Sequence, residues 1–350
     1  MTREVHILRA GPGVTVQDLG RPGYLAQGLS CGGAADPVAL AEGAALLEQA
    51  VSCAAIEVAG AVLEVEATAP VRFALTGAPM RAQIGSDGRS LAWNASHRLD
   101  AGETLRLAPG GTGSYGYLHL GGGIDTPERV GGRGAHLAAG LGAPLDRGDR
   151  LTLAADPQPD ASPRRLPPDD RFSGGTIRMI PGPQTGLFPQ ALLTRFLSTP
   201  FERTAWGNRQ GVKLGFSGEG FRPEGGLHLL SEVIVPGDIQ ITGDGTPYVL
   251  GPECQTIGGY PRIGTVLPQD LPKVLQAAPG AALRFRMVPL ESAAADYLSP
   301  EAQTRALSRR VEPLVRDPRH VPNLLSYEFI SGVTAGRELS GPDGDDAGGD

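Results

Sequence analysis

Lysine is almost missing from this chain of 350 residues. Only Lys213 and Lys273 occur, so arginine carries nearly all of the positive charge. Neither lysine stands in a GxxxxGKS or GxxxxGKT pattern, which excludes a Walker-type phosphate cradle. Neither has the Ala-Met-Lys-Met context that accepts biotin. Chemistry that needs such a nucleotide loop or an attached biotin must therefore come from another chain.

Cysteine is scarce as well. Cys31, Cys53 and Cys254 are far apart and form no CxxC pair, which predicts free thiols in a reducing compartment. The 6 histidines show neither HxH nor HExxH spacing, so no metal site is expected. His119 lies inside an apolar strand pattern and is predicted to be a structural histidine.

Long apolar runs and an excess of positive charge are also missing. No run of about 18 apolar residues occurs, and the first residues are charged, with no apolar signal segment behind them. The formal net charge of −7 argues against a nucleic-acid or anionic-membrane surface. We expect a cytoplasmic protein in which local arginines hold any anionic ligand.

Glycine and proline, in contrast, are abundant. With 51 glycines and 31 prolines, many short strands joined by turns are favoured over long helices. Residues 99–107, 145–153 and 278–285 each place apolar residues two apart after a turn, the period of a half-buried strand. The sequence therefore predicts a mainly β fold with two barrel-like units and a few short helices.

A Pro- and Asp-rich run divides the chain. Residues 157–171 contain few apolar side chains, which is typical of a linker. We predict a first β-barrel unit over 1–160, a linker over 161–175, a second β-barrel unit over 176–290 and a helical extension over 291–335. Residues 336–350 are rich in Gly, Asp and Ser and predict a disordered tail.

Four helices are expected. The first has Asp36 as its N-cap and Pro37 at the first helical position, and it runs to about Ala50. The others are predicted over 189–197, over 268–277 with an interruption at Pro272, and from Ser299 to about Val311.

The segment Gln255–Arg262 is the densest polar cluster of the chain. It joins Gln and Thr side chains, a Gly-Gly pair, a tyrosine and an arginine between two apolar runs typical of strands, 247–250 and 263–267. Gly-Gly lets a backbone approach a ligand closely. The alternative is a hairpin loop with a turn-prone glycine pair.

Two short patterns favour ordinary loops. The GxGxxG match at 111–116 lies between two strand patterns, so a hairpin loop is favoured over a dinucleotide site. The GxSxG match at 28–32 is followed by a helix only at Asp36, so Ser30 is not predicted to be a nucleophile.

A second polar segment, Thr15–Tyr24, completes a family pattern. Together with Gln255–Arg262 it resembles the KipA-like (PxpC) family of 5-oxoprolinase components, also called allophanate hydrolase subunit 2-like or biotin-dependent carboxyltransferase-like. Further matching pieces follow in the same order at 74–78, 121–125, 181–184 and 230–232, so the resemblance covers most of the chain. It implies cyclophilin-like β-barrels and a relation to one half of the carboxyltransferase region of urea carboxylase.

The resemblance implies a subunit of an ATP-dependent amidohydrolase that opens 5-oxoproline, or a related cyclic amide, to glutamate or its equivalent. The expected partners are a KipI-like subunit and a LamB/YcsF-like subunit, with ATP in the assembled complex. Two alternatives stay open. One is carboxyl transfer from carboxybiotin, carried by another chain, to an amide or urea. The other is a regulatory binding subunit without catalysis.

The resemblance also implies one shared cleft. The residues expected to act in catalysis are Asp18, Arg21, Asp36, Gln255 and Thr256. An arginine can bind an anion, and an acid can orient that arginine or accept a proton. The amide of Gln255 or the hydroxyl of Thr256 can polarise a carbonyl oxygen. For Asp36 the alternative is a plain N-cap. The residues expected to bind substrate are Gln17, Arg133, Gln184, Asn208, Arg209, Gly258, Gly259, Tyr260 and Arg262.

Within that cleft, Gln17, Asp18 and Arg21 are expected within one ligand's length of Gln255, Thr256 and Tyr260. Replacing Arg209 or Arg262 by Ala should weaken the use of an anionic substrate.

The chain departs from the family pattern in that cleft. It has Gly32-Gly33-Ala34-Ala35 where Ser-Gly-Ala-Met is usual, and Gly207-Asn208 where Ser-Asp is usual. Glu253-Cys254 replaces an acid and an arginine, and a Gly and His136 replace a Ser and an Asp. These losses predict a divergent member with its own substrate, or a binding subunit.

Overall fold

Alternating burial along short strands organises the protein, whose computed structural model describes residues 3–223 and 230–315. In Leu63–Ala67 every second residue is fully buried, and Met80–Ile84 repeats the pattern with exposed residues between. Such strands bury one face and leave the other accessible to solvent. The prediction of a mainly β fold with few short helices is confirmed.

The first half of the chain forms two antiparallel sheets. Its strands are β1 (Glu4–Ala10), β2 (Val14–Gln17), β3 (Ala55–Ala59), β4 (Leu63–Ala67), β5 (Val71–Gly77), β6 (Met80–Ile84), β7 (Arg89–Ser90), β8 (Ala95–Leu99), β9 (Thr104–Pro109), β10 (Tyr115–Leu120), β11 (Arg150–Thr152) and β12 (Arg164–Arg165). One sheet has the order β11-β1-β4-β9-β6-β7. The other has β2-β3-β10-β5-β8-β12 and then β22 (Glu312–Pro313). Val65, Phe73 and Leu118 belong to the core that the two sheets share.

The second half forms a closed seven-stranded barrel. Its strands are β13 (Gly175–Ile180), β14 (Phe201–Asn208), β15 (Gly211–Gly215), β17 (Asp238–Ile241), β18 (Pro247–Leu250), β20 (Arg262–Val266) and β21 (Ala282–Met287), with a small ribbon of β16 (Glu232–Val233) and β19 (Ile257–Gly258). The order is β13-β20-β17-β18-β15-β14-β21, and the parallel pair β13–β21 closes the barrel. Phe196, Phe201, Phe221 and Phe285 cluster in the core, with ring centroids 4.8 to 5.6 Å apart.

The described residues contain five α-helices, and no helix among them is long and apolar enough to cross a membrane. They are α1 (Pro37–Leu47), α2 (Gln190–Ser198), α3 (Leu271–Gln276), α4 (Leu290–Ala295) and α5 (Pro300–Ser308). Helix α1 begins as predicted but ends at Leu47, because Glu48 adopts a left-handed conformation. The interruption predicted at Pro272 is wrong, since this proline lies in the first turn of α3, where its missing N–H leaves no hydrogen bond unmade.

Both hairpin interpretations are wrong. The glycine-rich loop at 111–116 joins β9 to β10, which lie in different sheets. The segment Gln255–Arg262 leads from β18 to β20, and these strands pair with opposite edges of β17 rather than with each other.

The turn-then-strand pattern is confirmed: Gly102, Gly148 and Gly280 all take positive φ at the turns that precede β9, β11 and β21.

The run predicted as a linker takes part in the packing. Its strand β12 pairs with β8 and β22, and Arg171 is buried against α1. Helix α5 also packs against α1. The chain up to Leu314 forms one compact unit, and the domain boundaries stay a prediction. The rest of the predicted extension and the predicted tail lie outside the described residues.

Candidate functional site

A polar groove lies where the connection from β18 to β20 meets loops of the first half. It consists of two adjoining cavities of about 290 and 410 Å³, and Gln210, Cys254 and Gln255 line both of them. We name them the aromatic cavity and the serine cavity. Predicted site residues line each: Asn208 and Tyr260 the first, Thr256 the second.

The aromatic cavity combines exposed rings with amides. Trp206 is 78% exposed and Tyr260 47%, which is unusual for such large rings. Asn208 and Gln240 supply amide groups beside them, and Lys213 supplies a cation. Aromatic faces with a few placed polar groups are typical of a site for a flat organic ligand. The sequence reasoning missed Trp206, Gln240 and Lys213.

The serine cavity contains a buried hydroxyl–imidazole pair. Ser30 Oγ lies 2.8 Å from His136 Nε2, and His136 Nδ1 accepts the backbone N–H of Ala139 at 3.2 Å. Because Nδ1 acts as the acceptor, we assign the proton of the neutral ring to Nε2, which then donates to Ser30 Oγ. Burial lowers the pKa of His136, so the ring is neutral at pH 7. The hydroxyl proton of Ser30 is left to donate to a ligand.

This pair is not a nucleophile with its base. A base would have to accept the Ser30 proton on Nε2, and an acid would have to hold Nδ1–H. Glu253, which lines the same cavity, instead accepts from Ala138 N at 3.2 Å and from Arg209 Nε at 2.6 Å. The rejection of a nucleophile elbow is supported, but Ser30 and His136 were missed as groove residues. The sequence signal for His136 was its replacement of a usual family residue, and the signal for Ser30 was the GxSxG match at 28–32.

Arg209 bridges the two halves of the compact unit. Its guanidinium donates to Glu57, to Glu253 and to the carbonyl of Gly33. Burial lowers the pKa of Arg209, but the two carboxylates outweigh burial and raise it above its ordinary value. All three nitrogens of this predicted substrate-binding residue are therefore engaged by the protein itself.

Arg262 and Gln184 belong to a second internal network. Arg262 donates to Glu232 at 2.6 Å and to the carbonyl of Val233 at 2.7 Å. Gln184 Oε1 accepts from Arg262 N at 2.9 Å and from its Nε at 3.2 Å. Neither residue lines the groove. Gly258 packs closely on the amide of Gln240, and Gly259 is half-buried.

Asp36 shows the N-cap role that the sequence offered as an alternative. It is fully buried, and its carboxylate accepts from Ala39 N at 3.3 Å, Arg171 Nε at 2.8 Å and Gln276 Nε2 at 2.9 Å. These contacts occupy the carboxylate. A catalytic role for Asp36 stays a prediction that this geometry does not support.

The first polar segment points its side chains elsewhere. Arg21 and Arg133 line a third cavity of about 240 Å³, separate from the groove. Asp18 accepts from Gly20 N at 2.8 Å and from Arg133 N at 2.6 Å, so it shapes the loops around them. Gln17 donates to the carbonyl of Ala135 at 3.0 Å.

The two segments are linked through a third: Arg21 N donates to Cys31 O, and Gly32 N donates to Pro252 O, three residues before Gln255. The prediction, however, requires Gln17, Asp18 and Arg21 to share a cavity with Gln255, Thr256 and Tyr260. None of the three cavities is lined by residues from both of these groups. The single shared cleft stays a prediction.

Within residues 3–223 and 230–315, no group of three or more His, Cys, Asp or Glu could hold a metal ion. The three cysteines are free. Burial, with a contribution from Asp238, raises the pKa of Cys254 to about 12, so this groove residue stays a thiol at neutral pH.

A match to a family model defines the class of this protein. The chain belongs to the family of the carboxyltransferase domain, subdomain A and B, whose model matches residues 27–287.

Within that class it is similar to the C subunit of 5-oxoprolinase from Escherichia coli strain K12, with 32% identity over 291 residues, 82% of this chain and 92% of the relative. It is 29% identical to the C subunit of 5-oxoprolinase from Haemophilus influenzae over 83% of this chain and 93% of the relative. The crystal structure of the K. lactis urea amidolyase superimposes with a TM-score of 0.76 over 90% of this chain and 21% of that one. At 22% identity, this last likeness concerns the fold alone.

Proposed function

We propose that this chain is a subunit of an ATP-dependent amidohydrolase that opens the ring of 5-oxoproline or a related cyclic amide. It would act with a KipI-like partner and a LamB/YcsF-like one. The observation that carries the proposal is the continuity of the groove: a flat-ligand surface adjoins a hydroxyl held as a donor. The similarity to two proteins named as 5-oxoprolinase subunits supports the choice of substrate.

Each part of the groove has a task in this proposal. A five-membered lactam is flat, so its ring packs on Tyr260 or Trp206, while the Asn208 and Gln240 amides pair with its N–H and C=O. Ring opening places negative charge on the amide oxygen, and a fixed donor stabilises that charge. Ser30, with its oxygen held by His136, is that donor.

The groove does not fit ATP itself. Its walls carry one lysine, Lys213, and one acid, Glu253, which do not match a triphosphate. Phosphorylation of the amide oxygen is the chemistry that ATP would supply, and we assign its binding to the partner. The isolated chain should therefore neither hydrolyse ATP nor turn over 5-oxoproline.

The test is steady-state turnover of ATP and 5-oxoproline by the chain alone and by the complex with its partners. Ser30→Ala in the complex should lower kcat by about 100-fold, the usual effect of removing one oxyanion donor. Ser292→Ala, at an exposed position of α4, is the matched control and should leave kcat unchanged. Full activity of the chain alone would refute the subunit proposal.

A second candidate is carboxyl transfer to an amide or urea from a biotin carried by another chain. The family description and the fold likeness to urea amidolyase favour it, and the flat ureido ring of biotin suits the aromatic cavity. If the folded complex ignores 5-oxoproline but carboxylates urea in the presence of a biotin carrier, this candidate replaces the first. Binding without either turnover would favour a regulatory subunit.

A further inference from the structure

The third cavity contains a buried cation with an unused donor. Arg21 is only 2% exposed, and its Nη1 has no hydrogen-bond partner in the described part of the chain. Asp18, the acid closest to it in sequence, uses its two oxygens on the backbone N–H groups of Gly20 and Arg133 instead of pairing with Arg21. A guanidinium in this setting favours an anion.

The position of this cation is fixed by the backbone around it. Arg21 Nε donates to Arg129 O at 2.8 Å, and Nη2 donates to Gly132 O at 3.1 Å and Gly134 O at 2.6 Å. The glycines permit this approach, because a Cβ on Gly132 would lie 3.1 Å from Arg21 Cγ. The remaining nitrogen, Nη1, is thereby held in one place.

A second unused donor lines the same cavity. Thr126 Oγ1 is buried and lacks a partner within the described residues, and both Thr126 and Arg21 belong to the cavity wall. Two donors from separate segments can hold the two oxygens of one carboxylate. Val16, Leu145 and Leu151 supply an apolar wall for a short carbon body.

The charges of the wall select among anions. Besides Arg21, the wall contains Arg129, Arg133 and the acid Asp149. Arg133 is paired with Asp125 and Glu128. Together with Asp149, these two acids balance the three arginines of the wall, so a dianion gains no net attraction over a monoanion. The volume of about 240 Å³ also limits the ligand to a small molecule.

We infer that the Arg21–Thr126 cavity is a binding site for a small monocarboxylate. The natural ligand of this site is a carboxylate of the 5-oxoproline type, and this choice of ligand rests on the proposed function. The site is separate from the aromatic and serine cavities.

Ligand-observed NMR on the full chain tests this inference, with propionate and 5-oxoproline as probes and 2-pyrrolidinone, which lacks the carboxylate, as the comparison. Propionate and 5-oxoproline should compete with each other, and 2-pyrrolidinone should not displace propionate. Thr126→Val should weaken propionate binding about tenfold or more. Ala143→Leu, which narrows the cavity wall without touching a polar group, should do the same. Thr112→Val, at an exposed loop position, should bind like the wild type.

Other outcomes overturn the inference. Absence of propionate binding at tens of millimolar would mean that water alone satisfies Arg21 and Thr126. If the wild type, Thr126→Val and Ala143→Leu bind propionate equally, and their melting temperatures show that all are folded, the ligand binds elsewhere. Tighter binding of phosphate than of propionate would contradict the monoanion preference. Because binding is measured without partner or turnover, it can fail while the complex stays active, or succeed while the complex is inactive.

Discussion

His119 shows how a single buried side chain sets a pH dependence. The sequence predicts a structural histidine there, and the structure places it at 2% exposure with Nε2 at 2.8 Å from Thr76 Oγ1. Burial lowers the pKa of His119 from 6.5 to about 3. Below pH 6.5 the His119 ring therefore binds a proton in the unfolded chain but stays neutral in the folded chain. Stability from this residue is complete above pH 6.5 and is lost as the pH falls from 6.5 toward 3.

His119→Gln should remove this dependence while keeping a donor for Thr76. Between pH 6.5 and 5 the wild type should lose about 2 kcal/mol of unfolding free energy through His119, because one proton is worth about 1.4 kcal/mol per pH unit. Denaturant unfolding at pH 7 and pH 5 measures the difference. His6→Gln, which leaves His119 in place, should retain it. If His119→Gln loses as much unfolding free energy as the wild type between pH 7 and pH 5, the pH dependence arises from other groups.

At the scale of elements, α1 shows packing overriding local preference. Residues Ala39–Leu47 are all buried, so the helix lies inside the protein rather than on its surface. Gly43 is the point of closest approach: a Cβ there would lie 2.3 Å from Cγ of the His119 ring. A glycine in mid-helix is unfavourable by its own propensity, and only contact with β10 explains it.

Gly43→Ala separates the two effects. Helix propensity alone predicts a gain of about 1 kcal/mol, whereas overpacking of a rigid ring predicts a loss of about 1 to 3 kcal/mol or more. We expect a net loss in unfolding free energy, measured by denaturant titration. Gly186→Ala, where a Cβ would meet nothing within 4 Å, is the control and should change little. A more stable Gly43→Ala protein would show that His119 moves away without cost.

At the scale of the whole molecule, Arg209 joins the two halves. It reaches from the turn between β14 and β15 to Glu57 on β3 and to Glu253 in the wall of the groove. The sequence predicts substrate binding for Arg209, whereas the geometry predicts that its loss acts first on stability. A buried carboxylate that loses its partner is costly.

Arg209→Ala should lower the unfolding free energy by about 3 to 5 kcal/mol, because Glu57 would stay buried without its cation. Arg98→Ala removes an exposed pair with Asp100 and should cost less than about 1 kcal/mol. Thermal and denaturant unfolding compare the two variants. If Arg209→Ala is as stable as Arg98→Ala but its complex no longer turns over substrate, the result supports the prediction that Arg209 binds substrate.

The sequence by itself determined what depends on neighbouring residues and on residue type. Asp36 and Pro37 start α1, and Gly102, Gly148 and Gly280 make their turns, because caps and positive φ are local properties. The order of the polar segments was enough to recognise the carboxyltransferase-domain family.

Only the tertiary structure decided which distant groups meet. Nothing local sets β18 and β20 on either side of β17, and Ser30 reaches His136 across 106 positions of sequence. The same holds for Arg209, whose charge could serve a ligand or a carboxylate until Glu57 and Glu253 are seen to hold it. Strand pairing and buried ion pairs arise from contacts between distant segments, so a pattern read along the chain names the residues and the fold brings them together.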